Sequence, residues 1–124
     1  MKILVVDDEQ DIQTLFEQRF RKEIREKLVE LVFAFSGEEA LTYLQANEQE
    51  AVLILSDINM PGMSGLELLR HIKQDCVSPP PPIVMMITAY GDDENFNRAK
   101  ELGADDFLNK PVDFKLLKEK LKLN

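Results

Sequence analysis

One cysteine, one histidine and no tryptophan are all that 124 residues contain of three informative side chains. Cys76 has no second thiol to pair with, which excludes an internal disulfide and a thiolate metal site. An inert thiol in a reducing cytosol is the expectation. No apolar run approaches the roughly 20 residues needed to span a bilayer. The stretch Met1-Lys2-Ile3-Leu4-Val5-Val6 is too short for a signal peptide before Asp7-Asp8 interrupts it. Positive charge is scarce too: 15 Lys and Arg stand against 23 Asp and Glu, a formal net charge of −8. Nucleic acid and anionic membranes both select a basic face, so neither is expected as a direct partner. The expectation is a soluble, cytoplasmic protein of one domain, residues 1–124, whose 44% apolar content builds a core without disulfides.

Proline is sparse except at Pro79-Pro80-Pro81-Pro82, which holds four of the six in the chain. After Ser78 this run favours stiff polyproline II, a spacer ending a helix rather than a PxxP ligand. Elsewhere short apolar runs alternate with amphipathic ones. Ile3 to Val6, Leu31 to Phe35, Val52 to Leu55 and Ile83 to Ile87 read as strands, with a shorter one at Asp106 to Leu108. Most are nearly continuous in apolar residues, the pattern of parallel strands covered on both faces.

Helical spacing connects Ile12, Leu15, Phe16 and Phe20, with Ile24 extending the stripe. A second helix carries Ala40, Leu41 and Leu44 behind a Ser36 cap. A third carries Leu66, Leu69 and Ile72, with Ser64 at its start. A fourth carries Phe96, Ala99 and Leu102, ended by Gly103. The last carries Phe114, Leu117 and Leu121, with Pro111 just before it. Five strand–helix units in alternation predict an α/β fold: a doubly wound, five-stranded parallel sheet of the (βα)5 flavodoxin-like type, strand order 2-1-3-4-5.

In such a sheet, loops beyond the carboxyl ends of the strands carry the chemistry. Asp7 and Asp8 close the first strand, Asp57 the third and Thr88 the fourth, and Lys110 follows the fifth. Strands 1, 3, 4 and 5 are neighbours in the predicted order, so these residues converge. Three close carboxylates repel unless a cation joins them, and magnesium suits an all-oxygen site that also receives phosphate oxygens. Lys110 adds a point charge and Thr88 a hydroxyl donor. Together they describe a phosphoryl-transfer site in which a carboxylate attacks in line. Asp57, alone on the middle strand before Asn59-Met60-Pro61-Gly62, is the nucleophile; Asp7 and Asp8 are the better metal ligands.

Asp7-Asp8-Glu9, Asp57 with Asn59-Met60-Pro61-Gly62, Thr88-Ala89, Gly103-Ala104-Asp105-Asp106-Phe107 and Lys110-Pro111 resemble, in order and over essentially the whole chain, the signature of response-regulator receiver domains of bacterial two-component systems, including the chemotaxis-regulator type. That resemblance implies that Asp57 accepts a phosphoryl group from a histidine kinase, a phosphotransfer protein or a small phosphodonor. It implies Mg²⁺ held by Asp8, Asp57 and the Asn59 backbone carbonyl, with Asp7 acting through water. Lys110 pairs with the phosphoryl group, and its bond to Pro111 is cis. Thr88 swings toward the phosphoryl oxygens and Phe107 rotates inward behind it. The surface of the fourth helix, fifth strand and fifth helix then carries output to a partner or an output domain, while the first helix meets the phosphodonor. Phosphorylation-dependent dimerisation stays open. Two positions depart from or tune the pattern: Phe107 replaces a frequent tyrosine, and Asn59 and Tyr90 stand where autodephosphorylation is set.

Taken singly, Asp7-Asp8 reads as a turn and Asp57 as a cap; their convergence with Thr88 and Lys110 favours function. His71 reads as a packing or surface residue, and Asp92-Asp93-Glu94 as a solvated helix start favoured by the helix dipole. The chain is therefore expected not to be an enzyme acting on an external substrate; it catalyses only its own phosphorylation and dephosphorylation. The alternative is a phosphorylation-independent pseudo-receiver that serves as an interaction module. An aspartate-nucleophile phosphatase would need an acid where Asn59 stands. A flavodoxin would need hydroxyls and glycines in place of Asp-Asp-Glu. The sequence leaves open whether this is a stand-alone receiver or part of a longer regulator.

Overall fold

The computed structural model describes residues 1–47, 52–75, 82–89 and 91–123. Cys76, the prolines from Pro79 to Pro81 and Tyr90 lie outside the described residues. Strands β1 (Lys2–Val6), β2 (Glu30–Ala34), β3 (Val52–Asp57), β4 (Ile83–Thr88) and β5 (Asp106–Asn109) form one parallel sheet in the order β2-β1-β3-β4-β5. This is the doubly wound order expected from the sequence. The burial of each strand follows its place. In β1 and β4 every residue after the first is buried, whereas the edge strands β2 and β5 are mostly half-exposed.

Two apolar layers cover the sheet. On one face Phe16 and Phe20 from α1 (Asp11–Arg19) and its end pack with Phe114, Leu117 and Leu121 of the C-terminal helix against Ile3, Val5, Leu55, Ile87 and Leu108. The rings of Phe16 and Phe114 meet edge to face, 4.9 Å between centroids. Each fully buried phenylalanine contributes about 2–3 kcal/mol. On the other face α3 (Gly37–Ala46), α4 (Gly65–Asp75) and α5 (Asp93–Glu101) cover Leu4, Val6, Ile54, Val84 and Met86. The C-terminal helix is α6 (Phe114–Lys120).

The helix starts follow from local chemistry. Ser36 Oγ accepts from the Glu39 N–H at 3.0 Å, Ser64 Oγ from Glu67 at 3.2 Å and Asp113 Oδ1 from Leu116 at 3.1 Å. Such caps contribute about 1 kcal/mol each. Asp92 of the acidic run caps α5 by accepting from the Asn95 N–H. Gly103 takes φ +99°, the left-handed conformation that ends α5. Pro111 stands outside α6, which begins three residues later behind the Asp113 cap.

The first helix departs from expectation. Instead of one stripe reaching Ile24, the helix breaks at Phe20 (φ −103°, ψ 15°) and a short α2 (Arg21–Arg25) follows. Leu15 and Ile24 face solvent, each 37% exposed, while Glu23 is turned inward. Lys118 Nζ of α6 meets Glu23 Oε2 at 3.2 Å and also donates to the Arg19 carbonyl. A charged partner on α6 thus fixes which face of α2 is buried, a choice hydrophobic spacing alone does not reveal. No helix among the described residues is long and apolar enough to cross a membrane.

Candidate functional site

Strand register assembles the site. Val6 pairs with Ser56 and Asp57 with Ile87, so the β1 terminus, Asp57 and Thr88 reach the same edge of the sheet. Thr88 pairs with Asn109, and the Lys110 N–H donates to the Thr88 carbonyl at 2.9 Å, which places Lys110 beside β4. Apolar burial of the strands therefore sets the polar residues at their ends.

Asp57 is buried, and its Oδ2 accepts from Lys110 Nζ at 2.6 Å. Its Oδ1 accepts from the Asn59 N–H at a long 3.4 Å. Carboxylate oxygens of Asp7, Asp8 and Asp57 all lie within 4.8 Å of one another, with Asp7 and Asp57 buried and Asp8 exposed. Three crowded carboxylates, hard oxygen donors of which two are buried, carry an excess of negative charge that fits a magnesium ion. The Lys110–Pro111 peptide bond is cis.

Electrostatics follow the crowding. Burial, with the charges of Asp57 and Asp8 behind it, pushes the Asp7 carboxyl above the usual carboxylate range, against the Glu9 N–H and Lys110. Burial also works against the Lys110 ammonium, but its bond to Asp57 and the charges of Asp57, Asp7 and Glu9 outweigh it and raise its pKa.

The Asp7 shift has a testable sign. The folded protein holds a proton that the unfolded chain has already released, so stability falls as pH rises from the ordinary carboxylate value through the raised one. Asp7→Asn removes that loss and keeps the Oδ1 acceptor for the Glu9 N–H, now at 2.9 Å. In EDTA at pH 7 the variant is expected to gain on the order of 1 kcal/mol, as relief of a crowded functional site commonly does. The gain should shrink toward pH 4, and a thermal unfolding series across pH checks it.

The remaining residues lie on the α5 side. The Thr88 hydroxyl is buried and donates to Asn109 Oδ1 at 3.2 Å rather than to Asp57. Phe107 is half-buried against the ring of Phe96, 4.4 Å between centroids. His71 is half-buried on α4.

Two contributors went unread in the sequence. Asn109 is one, made visible only by β4–β5 register. Gly65 is the other: a Cβ there would stand 2.0 Å from the Asp57 carbonyl oxygen and 2.7 Å from Ile58 Cα. Its signal was a glycine at the first position of a helix already capped by Ser64, where a better helix former would otherwise fit.

Comparison with known proteins agrees with this geometry. The family model for the response regulator receiver domain matches residues 3–122. This chain belongs to that family. The receiver is 36% identical over 111 residues to response regulator RppA of Synechocystis, covering 90% of this chain and 44% of the relative. It is likewise 36% identical over 112 residues to the alkaline phosphatase synthesis transcriptional regulatory protein PhoP of Bacillus subtilis, covering 89% and 42%. The receiver thus spans less than half the length of either. Among solved structures, a response regulator receiver domain protein from Clostridium thermocellum superimposes with a TM-score of 0.83 at 30% identity, covering 98% of this chain and 91% of that one.

Proposed function

We propose that residues 1–124 act as one receiver domain, a cytoplasmic switch that takes a phosphoryl group onto Asp57 and thereby alters the surface formed by α5, β5 and α6. The observation that carries this reading is a buried aspartate at the end of the central strand, bound by Lys110 at 2.6 Å and clustered with Asp7 and Asp8. A carboxylate so placed has little use as a surface group or a cap; Lys110 suits a dianionic adduct, and Asp7 and Asp8 suit the cation that would offset its charge.

In this reading an Asp57 oxygen attacks the phosphorus of the donor in line, and the donor's imidazole or acetate leaves with the electron pair of the broken bond. Lys110 transfers its contact from Asp57 to a phosphoryl oxygen, so one charge serves both states. Asp8, Asp57 and the Asn59 backbone carbonyl would hold Mg²⁺, with Asp7 acting through water. When bound, that ion neutralises charge on the transferring phosphoryl group. Thr88 turns its hydroxyl to the adduct, and Phe107, beside Phe96, moves into the space released. Donors are a histidine kinase, a phosphotransfer protein or a small acyl phosphate. The domain turns over no external substrate beyond its phosphodonor, and its output goes to a partner or to an attached domain through the α5–β5–α6 surface.

The test is the intact mass after incubation with acetyl phosphate, with and without Mg²⁺. One phosphoryl adduct that forms only with Mg²⁺ is the expected result. No adduct from acetyl phosphate or from a kinase would instead establish the phosphorylation-independent interaction module.

A further inference from the structure

Thr88 and Asn109 are partners in β4–β5 register, and residues so paired in a parallel sheet project to the same face. On that face the Thr88 hydroxyl, 3% exposed, spends its one proton on Asn109 Oδ1 at 3.2 Å. Phe107 lies two residues before Asn109, packed on Phe96 of α5. A hydroxyl carries a single proton, so Thr88 cannot donate to Asn109 and to a phosphoryl oxygen on Asp57 at once.

We propose that Asn109 is a latch for the unphosphorylated state: a positioning residue that holds the Thr88 hydroxyl away from Asp57 and so sets how readily the switch turns. The inference rests on the phosphoacceptor reading of Asp57. The latch is built to be released. Asn109 is exposed, so water replaces Thr88 at its amide when the hydroxyl leaves, and no buried polar group is stranded. A neutral hydrogen bond of this kind biases a two-state equilibrium by roughly three- to tenfold. It tunes the switch without locking it. Because Phe107 and Asn109 share the strand and the face, releasing Thr88 also frees the space behind it for the Phe107 ring.

Beryllofluoride with Mg²⁺, a stable phosphoryl mimic, reads the bias directly. In Asn109→Ala its apparent affinity should rise roughly three- to tenfold, because less of the protein starts in the latched state. Without the mimic, the NMR signals of α5 and β5 should move part of the way along the line joining the free and beryllofluoride-bound wild-type positions. In a Thr88→Val background, Asn109→Ala should change neither reading, since the hydroxyl it restrains is gone. A purely structural role for Asn109 predicts the same change in both backgrounds, and that result overturns the latch. Wild-type binding with no gain in Asn109→Ala overturns it as well. Failure of the wild-type protein to bind beryllofluoride would remove the phosphoacceptor reading and the latch together.

Discussion

Asp57→Asn is expected to abolish the phosphoryl adduct, lowering its rate of formation by on the order of 10⁴-fold or more, while leaving the fold in place. An amide has the size and shape of the carboxylate but no nucleophilic oxygen, so the packing around a residue only 2% exposed is undisturbed. Lys110 keeps an acceptor in the amide oxygen, and being partly exposed it retains water when the ion pair weakens. One of three crowded negative charges disappears, which brings the Asp7 carboxyl back toward its ordinary range, because Asp57 is among the charges that raise it. Thermal unfolding in EDTA should therefore show no loss of stability beside complete loss of labelling. An adduct of the same mass persisting in Asp57→Asn would move the acceptor to another residue. Collapse of the fold would mean that the Lys110 pair holds β3 and β5 together, and labelling would then be uninterpretable without a milder change.

The contrast between what the sequence revealed and what it hid is physical. The central strands were legible because a parallel strand covered on both faces must be apolar at nearly every position, as β1 and β4 are, while the half-exposed edge strand β5 was read from the short Asp106 to Leu108 stretch and its place in the alternation. Asp7, Asp57, Thr88 and Lys110 were legible because polar residues ending such strands have nowhere else to go than the edge of the sheet. The break at Phe20 was hidden. Spacing places Ile24 on the stripe of Phe16 and Phe20, but the Lys118 ammonium on α6 favours Glu23 as the inward residue of α2. That preference depends on two residues 95 positions apart, outside any local window. Asn109 was hidden for a related reason. Beside Lys110 it reads as an ordinary polar strand end, and only the pairing with Thr88 gives it an object.

Gly65 is the sharpest case of a residue whose importance is a distance, and Gly65→Ala is expected to cost about 3 kcal/mol, the upper part of the range for overpacking. In a protein whose whole stability is of order 5–15 kcal/mol, that lowers Tm by on the order of 10 °C. All three nearest obstacles are backbone: the Asp57 carbonyl oxygen at 2.0 Å, Ile58 Cα at 2.7 Å and the Asp57 carbonyl carbon at 2.9 Å. None can turn aside as a side chain would. Either α4 moves off the sheet, breaking the 2.7 Å bond from the Gly65 N–H to the Ile58 carbonyl, or the end of β3 moves with Asp57 on it. Gly37 supplies the control, since it too opens a helix and its added Cβ would also meet atoms at 2.9–3.0 Å, but those belong to the Met63 side chain. Rotation about the methionine side-chain bonds carries Cγ and Sδ aside and leaves Cβ at 3.0 Å to give by a few tenths of an ångström, so Gly37→Ala should cost about 1 kcal/mol, well below Gly65→Ala. Chemical denaturation of the two variants side by side separates backbone collision from the helix propensity both gain. The same pair tests the site: if the β3–α4 junction fixes Asp57, labelling by acetyl phosphate under folding conditions should fall in Gly65→Ala and stay near wild type in Gly37→Ala. Equal stabilities would show that α4 can shift freely, and the position of Asp57 would then be owed to Lys110 and its strand neighbours alone.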